Sequence, residues 1–324
     1  MIPAAPLLAA LALAAARPAA AAEPERLFVL AEPRVVFLGG SRAYANVGSA
    51  CGGVVCLGAA DGTGESVGRG TAPSFRLGAG YRVGPRSAVT VSASWLEASG
   101  TDRLSAPGAV VGRPVPAVNE ILANTGKLSD SAAADDHVRM VELVSEYTGI
   151  VASSRRFDLV AGAGLRYLFF DDDLHARYLH SNTGYTFSKD VESRTSAAGP
   201  QASLRGEWRA DARWTASLGL TLGALLGPTL SRHSVCQGPA FAQPGCSNYL
   251  DYSASQSLVT PFVALEPSLT YAFGDTGARA AIGLSVENYW SRQTKPDVNP
   301  DGSRRIDRES VQPVAALLRV EYAF

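Results

Sequence analysis

The sequence predicts an all-β fold: a transmembrane antiparallel up-and-down β-barrel of about 10 strands, with short periplasmic turns and long extracellular loops. The prediction rests on the C-terminal strand, the N-terminal segment and the alternation of short and long connections. From Val314 to Phe324 every second residue is apolar or aromatic, with Arg319 and Glu321 between them. A period of two indicates a strand with one apolar and one polar face. Because such an edge would aggregate in water, we expect its apolar face to meet lipid in a closed barrel.

The C-terminus also carries a predicted insertion signal. A terminal Phe preceded by apolar residues at steps of two resembles the strand by which bacterial outer-membrane barrels are recognised for assembly. The signal residues are Leu318, Val320, Tyr322 and Phe324. The expected partners are therefore outer-membrane lipid and the barrel-assembly machinery. Taken alone, the pattern also fits an ordinary sandwich strand that ends in Phe.

The first residues are expected to be an export signal. Residues 1–22 are small and apolar and end in a run of alanines before Glu23, which fits the small-residue cleavage rule. The alternative is a transmembrane helix, but the apolar core is short and is interrupted by prolines and Arg17. The predicted organisation is a signal peptide over 1–22 and an outer-membrane barrel over 23–324, located in the outer membrane of a Gram-negative bacterium.

The composition agrees with a barrel wall that has one side facing lipid and one side facing water. Mean hydropathy is +0.05 and 18% of the residues are charged. The net charge of −1 implies no nucleic-acid partner. No cofactor is expected.

Four cysteines form two close pairs along the chain, Cys51 with Cys56 and Cys236 with Cys246. In an exported chain such pairs predict loop disulfides. A metal site would need histidine or acidic partners, and His233 is the one histidine close to a cysteine, so no metal site is expected.

Ten segments alternate with period two and predict the strands. They are 34–44 (the weakest), 74–83, 88–97, 138–147, a segment from 157, 201–208, a segment from 214, 259–273, 278–289 and the C-terminal strand. Every second connection is short, namely 84–86, 150–156, 209–213 and 274–277. The others are long, namely 45–73, 98–137, 172–198, 228–256 and 291–307. This alternation is typical of outer-membrane barrels, and both cysteine pairs fall in long connections.

Aromatic residues gather at the predicted membrane boundaries, where rings sit between lipid and water. Near the short turns lie Tyr81, Phe157, Trp208, Trp214, Tyr271, Phe273, Tyr322 and Phe324. Towards the other end lie Trp95, Tyr147, Phe169 and Trp290.

The predicted inner face is strongly charged. The expected lumen-lining residues are Arg76, Arg82, Glu142, Glu146, Asp158, Arg166, Arg205, Glu207, Glu266, Glu287, Arg319 and Glu321. Glycines on the same face are expected to make room for long side chains: Gly78, Gly80, Gly162, Gly164, Gly219 and Gly223. About ten strands enclose little space, so these charges must pair or stay hydrated. A narrow polar pore and a salt-bridged plug are both open at this point.

Several segments resemble the Legionella-type major outer membrane protein family of pore-forming barrels. The resembling stretches are 164–168, 199–208 and 318–324, and the likeness covers mainly residues 155–324. The resemblance implies a pore or porin-like role.

Two sets of residues carry the acid and base groups that catalysis would need, but no enzyme activity is expected. Asp135, Asp136 and His137 form one set, and Asp171–Asp173 with His175 and His180 form the other. General acid–base chemistry needs a histidine held by a carboxylate, but neighbours on a strand point to opposite sides. Ser231 and His233 would share one side of a strand, as a lipase would require.

The sequence therefore predicts an outer-membrane, porin-like barrel that passes small solutes or ions through a narrow charged lumen. The alternative is a structural or adhesive barrel that acts through its disulfide-stapled extracellular loops.

Overall fold

The computed structural model describes residues 26–38, 41–47, 50–51, 54–55, 64–68, 70–112, 129–180, 185–239, 248–274, 276–298 and 304–324. Ten long strands form the main body. They are β1 (Leu27–Leu38), β2 (Thr71–Gly84), β3 (Ser87–Gly112), β4 (Ser129–Ser153), β5 (Phe157–His180), β6 (Tyr185–Arg209), β7 (Trp214–Pro239), β8 (Asn248–Ala272), β9 (Ala278–Val298) and β10 (Pro313–Ala323).

These strands close into an antiparallel ring. Each strand pairs with its neighbours in the chain, and β1 pairs with β10 from Phe28↔Ala323 to Leu38↔Pro313. No helix in the described part of the chain is long and apolar enough to cross a membrane. The predicted fold class, an up-and-down barrel of ten strands, is confirmed.

Tight turns join the strands at one end of the ring. They lie at 85–86, 154–156, 210–213 and 273–277, where the sequence predicts the short connections. In the third turn the Asp211 Oδ1 accepts hydrogen bonds from the backbone N–H groups of Arg213 (2.7 Å) and Trp214 (2.8 Å). These bonds favour the charged carboxylate and lower the pKa of Asp211.

The outer face of the ring is apolar. Its large side chains are exposed by between 36% (Val314) and 63% (Val151 and Leu165). The C-terminal residues Leu318, Val320, Tyr322 and Phe324 belong to this face, as do most of the predicted boundary aromatics. A closed ring leaves no backbone edge in lipid, so this wall is that of a transmembrane β-barrel of the outer membrane.

The strands reach much further than the sequence analysis expected. β3 to β8 are 24–26 residues long, whereas about 9–11 residues cross a bilayer. Much of the long connections at 98–137, 172–198, 228–256 and 291–307 is therefore strand that continues above the membrane. The lipid-facing pattern ends there: on β5, Leu174, Ala176 and Tyr178 are buried on the inner side, and the residues between them are polar.

The first strand was placed too far along the chain. The sequence segment 34–44 predicts it, but β1 covers Leu27–Leu38, and residues 39–40 lie outside the described part of the chain. A separate short strand, Ser41–Val47, pairs with Gly64–Gly68 and with the upper end of β3. Two further pairings are Arg304–Val311 with β9 and Ala50–Cys51 with Val54–Val55.

Some predictions concern residues outside the described part of the chain. The signal peptide at 1–22 is one, and the central part of the 98–137 connection is another. Cys56 and Cys246 also lie outside it, so both disulfides stay predictions.

Candidate functional site in the barrel interior

The centre of the barrel is crossed by one arginine. The Arg166 guanidinium, on β5, lies 3.2 Å from Glu142 of β4 and 3.3 Å from Glu287 of β9. Its Nε donates to the Gln201 Oε1 at 2.9 Å, and its Nη1 donates to the Tyr289 hydroxyl at 2.8 Å. Strands β5 and β9 are not neighbours in the ring. These bonds therefore run through the interior and connect opposite walls.

Two aromatic side chains contact this arginine. The Phe262 ring centre lies 4.4 Å from the Arg166 Cζ, and the Phe262 and Tyr289 rings stack with their centres 5.6 Å apart. The Tyr289 hydroxyl is also within hydrogen-bonding reach of Glu142 and of Glu287, the latter at 2.7 Å. Arg166, Glu142, Glu287, Phe262 and Tyr289 are all buried. We call these five residues, with Gln201, the central network.

A second group of charges lies beside the central network. The fully buried Glu32 of β1 contacts the arginines Arg34, Arg76 and Arg319. Arg319 also lies 2.7 Å from Glu266. Arg76 reaches 3.6 Å from Glu142, so the two groups form a continuous set of charges.

Nearer the tight turns, the interior charges form separate pairs. They are Arg205 with Glu207 (2.9 Å), Arg209 with Asp158 (2.6 Å) and Arg82 with Glu321 (4.0 Å). Glu146 accepts a hydrogen bond from the Ser203 hydroxyl at 2.5 Å. The Arg205 side chain is 43% exposed, so this end of the interior is open to water.

On the extracellular side of the central network the interior becomes apolar. Buried hydrophobic side chains from most of the strands meet there and pack against Phe262 and Tyr289 of the central network: Val36, Leu38, Ala72, Leu96, Ala98, Val138, Met140, Leu168, Phe170, Ala197, Leu225, Val311 and Ala315. A cavity of about 30 Å³ lies between this layer and the charges of Arg34, Glu142 and Glu287. Such a volume holds only a few water molecules.

The twelve residues predicted to line the lumen lie on the inner face of the barrel or have ion-pair or hydrogen-bond partners in its interior. Their role as a pore lining stays a prediction. Glu32 is absent from the predicted lining because the predicted first strand begins at residue 34; Arg34 lies in that predicted strand but is also absent from the lining. Gln201, Phe262 and Tyr289 are absent from it as well. Alternation along β8 and β9 places the two aromatic residues on the charged face, and that signal could have identified them.

Among the described side chains, those of Asp136 and His137 point to opposite faces of β4. Asp136 faces inward and is buried, while His137 faces outward, 3.4 Å from Glu97. Ser231 is fully buried, and the side chains of His180 and His233 lie outside the described set.

A second histidine pairs with a carboxylate on the outer face. The Nδ1 of His175 contacts Asp190, and its Nε2 accepts a hydrogen bond from Arg177 at 2.7 Å. The Ser234 hydroxyl donates to Asp190 at 3.3 Å. The carboxylate thus stands between the hydroxyl and the imidazole. Activation of a serine nucleophile needs the imidazole in the middle, so these four residues lack the required order.

Asp173 lies on the same outer face. It is four residues after Phe169 on β5, above the apolar wall. Its carboxylate, with those of Asp171 and Glu192, has oxygens within 4.8 Å of one another. Partial burial and the negative charges of Asp171, Glu192 and Asp172 raise the pKa of Asp173 to about 6.

This raised pKa predicts a pH-dependent stability. The folded chain holds the Asp173 proton more tightly than the unfolded chain, whose carboxyl titrates near 3.8. The stabilisation is therefore greatest below the unfolded value and is lost as pH rises through 6. We expect Asp173→Asn to flatten the decline in thermal midpoint between pH 4 and pH 7. Asp135→Asn, at an exposed outward position on β4, is the control and should leave the profile unchanged. A wild-type midpoint that does not fall over this range would contradict the assignment.

No family model matches the chain, and no curated protein matches it in sequence. Among solved structures the chain is similar to the outer membrane protease OmpT from Escherichia coli, with 8% identity, 92% of this chain and 97% of that chain covered, and a TM-score of 0.45. It is also similar to OprG from Pseudomonas aeruginosa (11%, 92% and 96%, 0.31) and to the KdgM porin (8%, 91% and 99%, 0.29). At these values the likeness transfers no activity, and membership of the Legionella-type family stays a prediction.

Proposed function

We propose that the protein is an outer-membrane barrel with a closed interior, and that it acts through the part of its β-sheet that extends above the membrane. The observation that carries this proposal is the central network. Arg166 joins strands on opposite sides of the ring, and an apolar layer lies directly above it. A hydrated ion would have to displace both.

The height of the sheet supports the same conclusion. Strands of 24–26 residues rise well beyond the apolar wall. Their inner side there is packed with a second set of buried apolar residues: Ala132, Ala134, Leu174, Ala176, Tyr178 and Val191. A tall sheet with a packed inner side suits a structural or adhesive role on the cell surface.

Porin-like passage of small solutes or ions is the second candidate function. One observation favours it: near the tight turns the interior is charged and partly exposed, as shown by the 43% exposure of the Arg205 side chain. For this function the central network and the apolar layer would both have to move aside.

Planar-bilayer conductance separates the two candidates. We expect the refolded mature chain, residues 23–324, to give no discrete current steps. The protein must first show on cold SDS gels the heat-modifiable mobility of a folded barrel. Discrete steps that disappear after heat denaturation would overturn the closed barrel and favour the porin-like function, and their ion selectivity would then report on the charged interior.

A further inference from the structure

Arginines gather at the end of the barrel that carries the tight turns. The turn segments 84–86, 150–156, 209–213 and 274–279 contain six arginines, two aspartates and no lysine. All six arginines are exposed, and Arg26 at the start of β1 joins them at this end. We call these residues the arginine ring: Arg26, Arg86, Arg155, Arg156, Arg209, Arg213 and Arg279.

The ring lies where the strand ladders end. The carbonyl oxygen of Arg156 accepts a hydrogen bond from the N–H of Arg209 at 2.8 Å. The carbonyl oxygen of Arg213 accepts one from the N–H of Ala272, also at 2.8 Å, and Ala272 pairs with Arg279. The arginines therefore follow one another around the rim from β5 to β9.

The ring also adjoins the aromatic residues of the periplasmic membrane boundary. Arg213 directly precedes the exposed Trp214, and its Nη1 donates to the Tyr271 hydroxyl at 3.4 Å. The Nη1 of Arg26 donates to the Tyr81 hydroxyl at 3.3 Å. Because such aromatic rings mark the interface between hydrocarbon and water, these guanidinium groups lie at the depth of the lipid headgroups.

The protein supplies few counter-charges to the ring. Asp211, one of the two turn aspartates, accepts hydrogen bonds from the backbone N–H groups of its own turn. Among the described residues, Arg209 alone of the six turn arginines forms an ion pair, with Asp158 at 2.6 Å. The other five present exposed guanidinium groups that an external anion can reach.

The opposite membrane boundary is different. The first charges above the apolar wall alternate in sign on neighbouring strands. Arg139 lies 3.9 Å from Glu97, and Arg194 lies 3.2 Å from Asp171. These arginines have carboxylate partners within the protein. Among the described residues at the two boundaries, the excess of positive charge therefore lies at the periplasmic end.

We propose that the arginine ring binds the phosphate groups of anionic phospholipids in the periplasmic leaflet and prefers them to zwitterionic lipids. A guanidinium forms two parallel hydrogen bonds with a phosphate, and clustered cations beside a bilayer attract lipids of net negative charge. Lipid is favoured over an acidic cell-wall polymer because Arg26 and Arg213 bond to tyrosines of the lipid-facing wall. This inference goes beyond the proposed function and holds whether the interior is closed or open.

Tryptophan quenching by brominated lipids tests this proposal, because the chain has two tryptophans at each boundary. Trp208 and Trp214 lie beside the ring, and Trp95 and Trp290 lie at the opposite boundary. The double variant Trp95→Phe, Trp290→Phe therefore reports on the ring, and Trp208→Phe, Trp214→Phe reports on the other boundary. Each is refolded into phosphatidylcholine vesicles that contain either brominated phosphatidylglycerol or brominated phosphatidylcholine.

The ring tryptophans should show a preference for the anionic lipid. We expect phosphatidylglycerol to quench them with an apparent affinity about fivefold above that of phosphatidylcholine, and we expect no preference at the opposite boundary. Because the attraction is electrostatic, about 0.5 M NaCl should remove most of the preference. An equal preference at both boundaries, or a preference insensitive to salt, would overturn the proposal.

A triple variant of the ring makes the result specific. Arg155→Gln, Arg156→Gln and Arg213→Gln together should bring the lipid preference close to one in a chain that still shows heat-modifiable mobility. Unchanged preference in this variant would overturn the proposal. Soluble peptidoglycan fragments that bind the wild type but not this variant, without any lipid preference, would overturn it in favour of a cell-wall contact.

The matched control removes the same charge from the other end of the barrel. Arg103→Gln, Arg139→Gln and Arg177→Gln replace three exposed arginines on the extracellular side. This variant should keep the lipid preference at Trp208 and Trp214. Equal losses in the two triple variants would show that the net charge of the protein, and not the arginine ring, selects the lipid.

Discussion

Replacing Arg166 by methionine is expected to lower the free energy of unfolding by about 3–5 kcal/mol, because it removes the cation that two buried carboxylates share and leaves only Glu142 with another arginine, Arg76, at 3.6 Å. Glu142 and Glu287 both lie within 3.3 Å of the guanidinium, and both are buried. Urea unfolding followed by tryptophan fluorescence would measure the loss.

The control for this prediction is Arg205→Met. Arg205 also pairs with a carboxylate, at 2.9 Å, but its side chain is 43% exposed. An exposed pair contributes about 0–1 kcal/mol, so this variant should unfold almost like the wild type. An equal loss of unfolding free energy in the two variants would show that burial does not determine how much the ion pairs of the central network stabilise the protein.

Neutralising one carboxylate should repair the Arg166 variant. Adding Glu287→Gln to Arg166→Met removes the carboxylate that has lost its cation, while Glu142 keeps Arg76 at 3.6 Å, and most of the lost stability should return. Because the apolar layer remains in place above the network, the double variant is expected to stay closed in planar bilayers.

The lipid-facing half of this fold could be predicted from the sequence. There each strand separates lipid from the interior, so hydrophobicity alternates, and the tight turns fall where the pattern breaks. Above the membrane the apolar residues lie on the inner side instead, as Leu174, Ala176 and Tyr178 do on β5. Apolar residues on the lipid side therefore end at the membrane, and the sequence predicts long loops where β3 to β8 continue.

The charges of the interior could also be predicted from the sequence, but the residues with which they pair could not. Alternation places Arg166, Glu142 and Glu287 on the inner face without saying which strands meet across the ring. Those contacts depend on strand register and shear, which are properties of the closed barrel. The apolar layer is signalled only weakly in the sequence: Leu168 and Phe170 follow Arg166 on the inner face at steps of two, but the lipid-facing residues of the same strand are apolar as well.

The inner-face glycines are another case in which a single sequence does not show the contacts between strands. Gly162 makes room for a long side chain, as expected, since a Cβ there would lie 2.8 Å from the Glu146 carboxylate. Gly164 has another reason. A Cβ at Gly164 would lie 2.0 Å from the Ser145 carbonyl oxygen and 2.8 Å from the Glu146 Cα, both of the neighbouring strand. The close approach of two backbones cannot be inferred from a single sequence.

Gly164→Ala is accordingly expected to be strongly destabilising, by roughly 3 kcal/mol, near the upper end of the usual cost of overpacking. The atoms in the way belong to the β4 backbone, which cannot retreat without breaking its ladder with β5. A flexible side chain could move aside, but a paired strand cannot. Urea unfolding of the refolded barrel would measure the loss, and a lower yield of heat-modifiable protein would accompany it.

Gly219→Ala is the matched control, because it makes the same change on the inner face of another strand. A Cβ at Gly219 would lie 3.6 Å from the Glu266 carbonyl oxygen, an ordinary contact. Alanine also loses less conformational freedom on folding than glycine, so this variant should stay within about 1 kcal/mol of the wild type. If Gly164→Ala proved as mild as Gly219→Ala, the close approach of β4 and β5 at Gly164 would be refuted, because no rearrangement short of separating the two strands accommodates the added carbon.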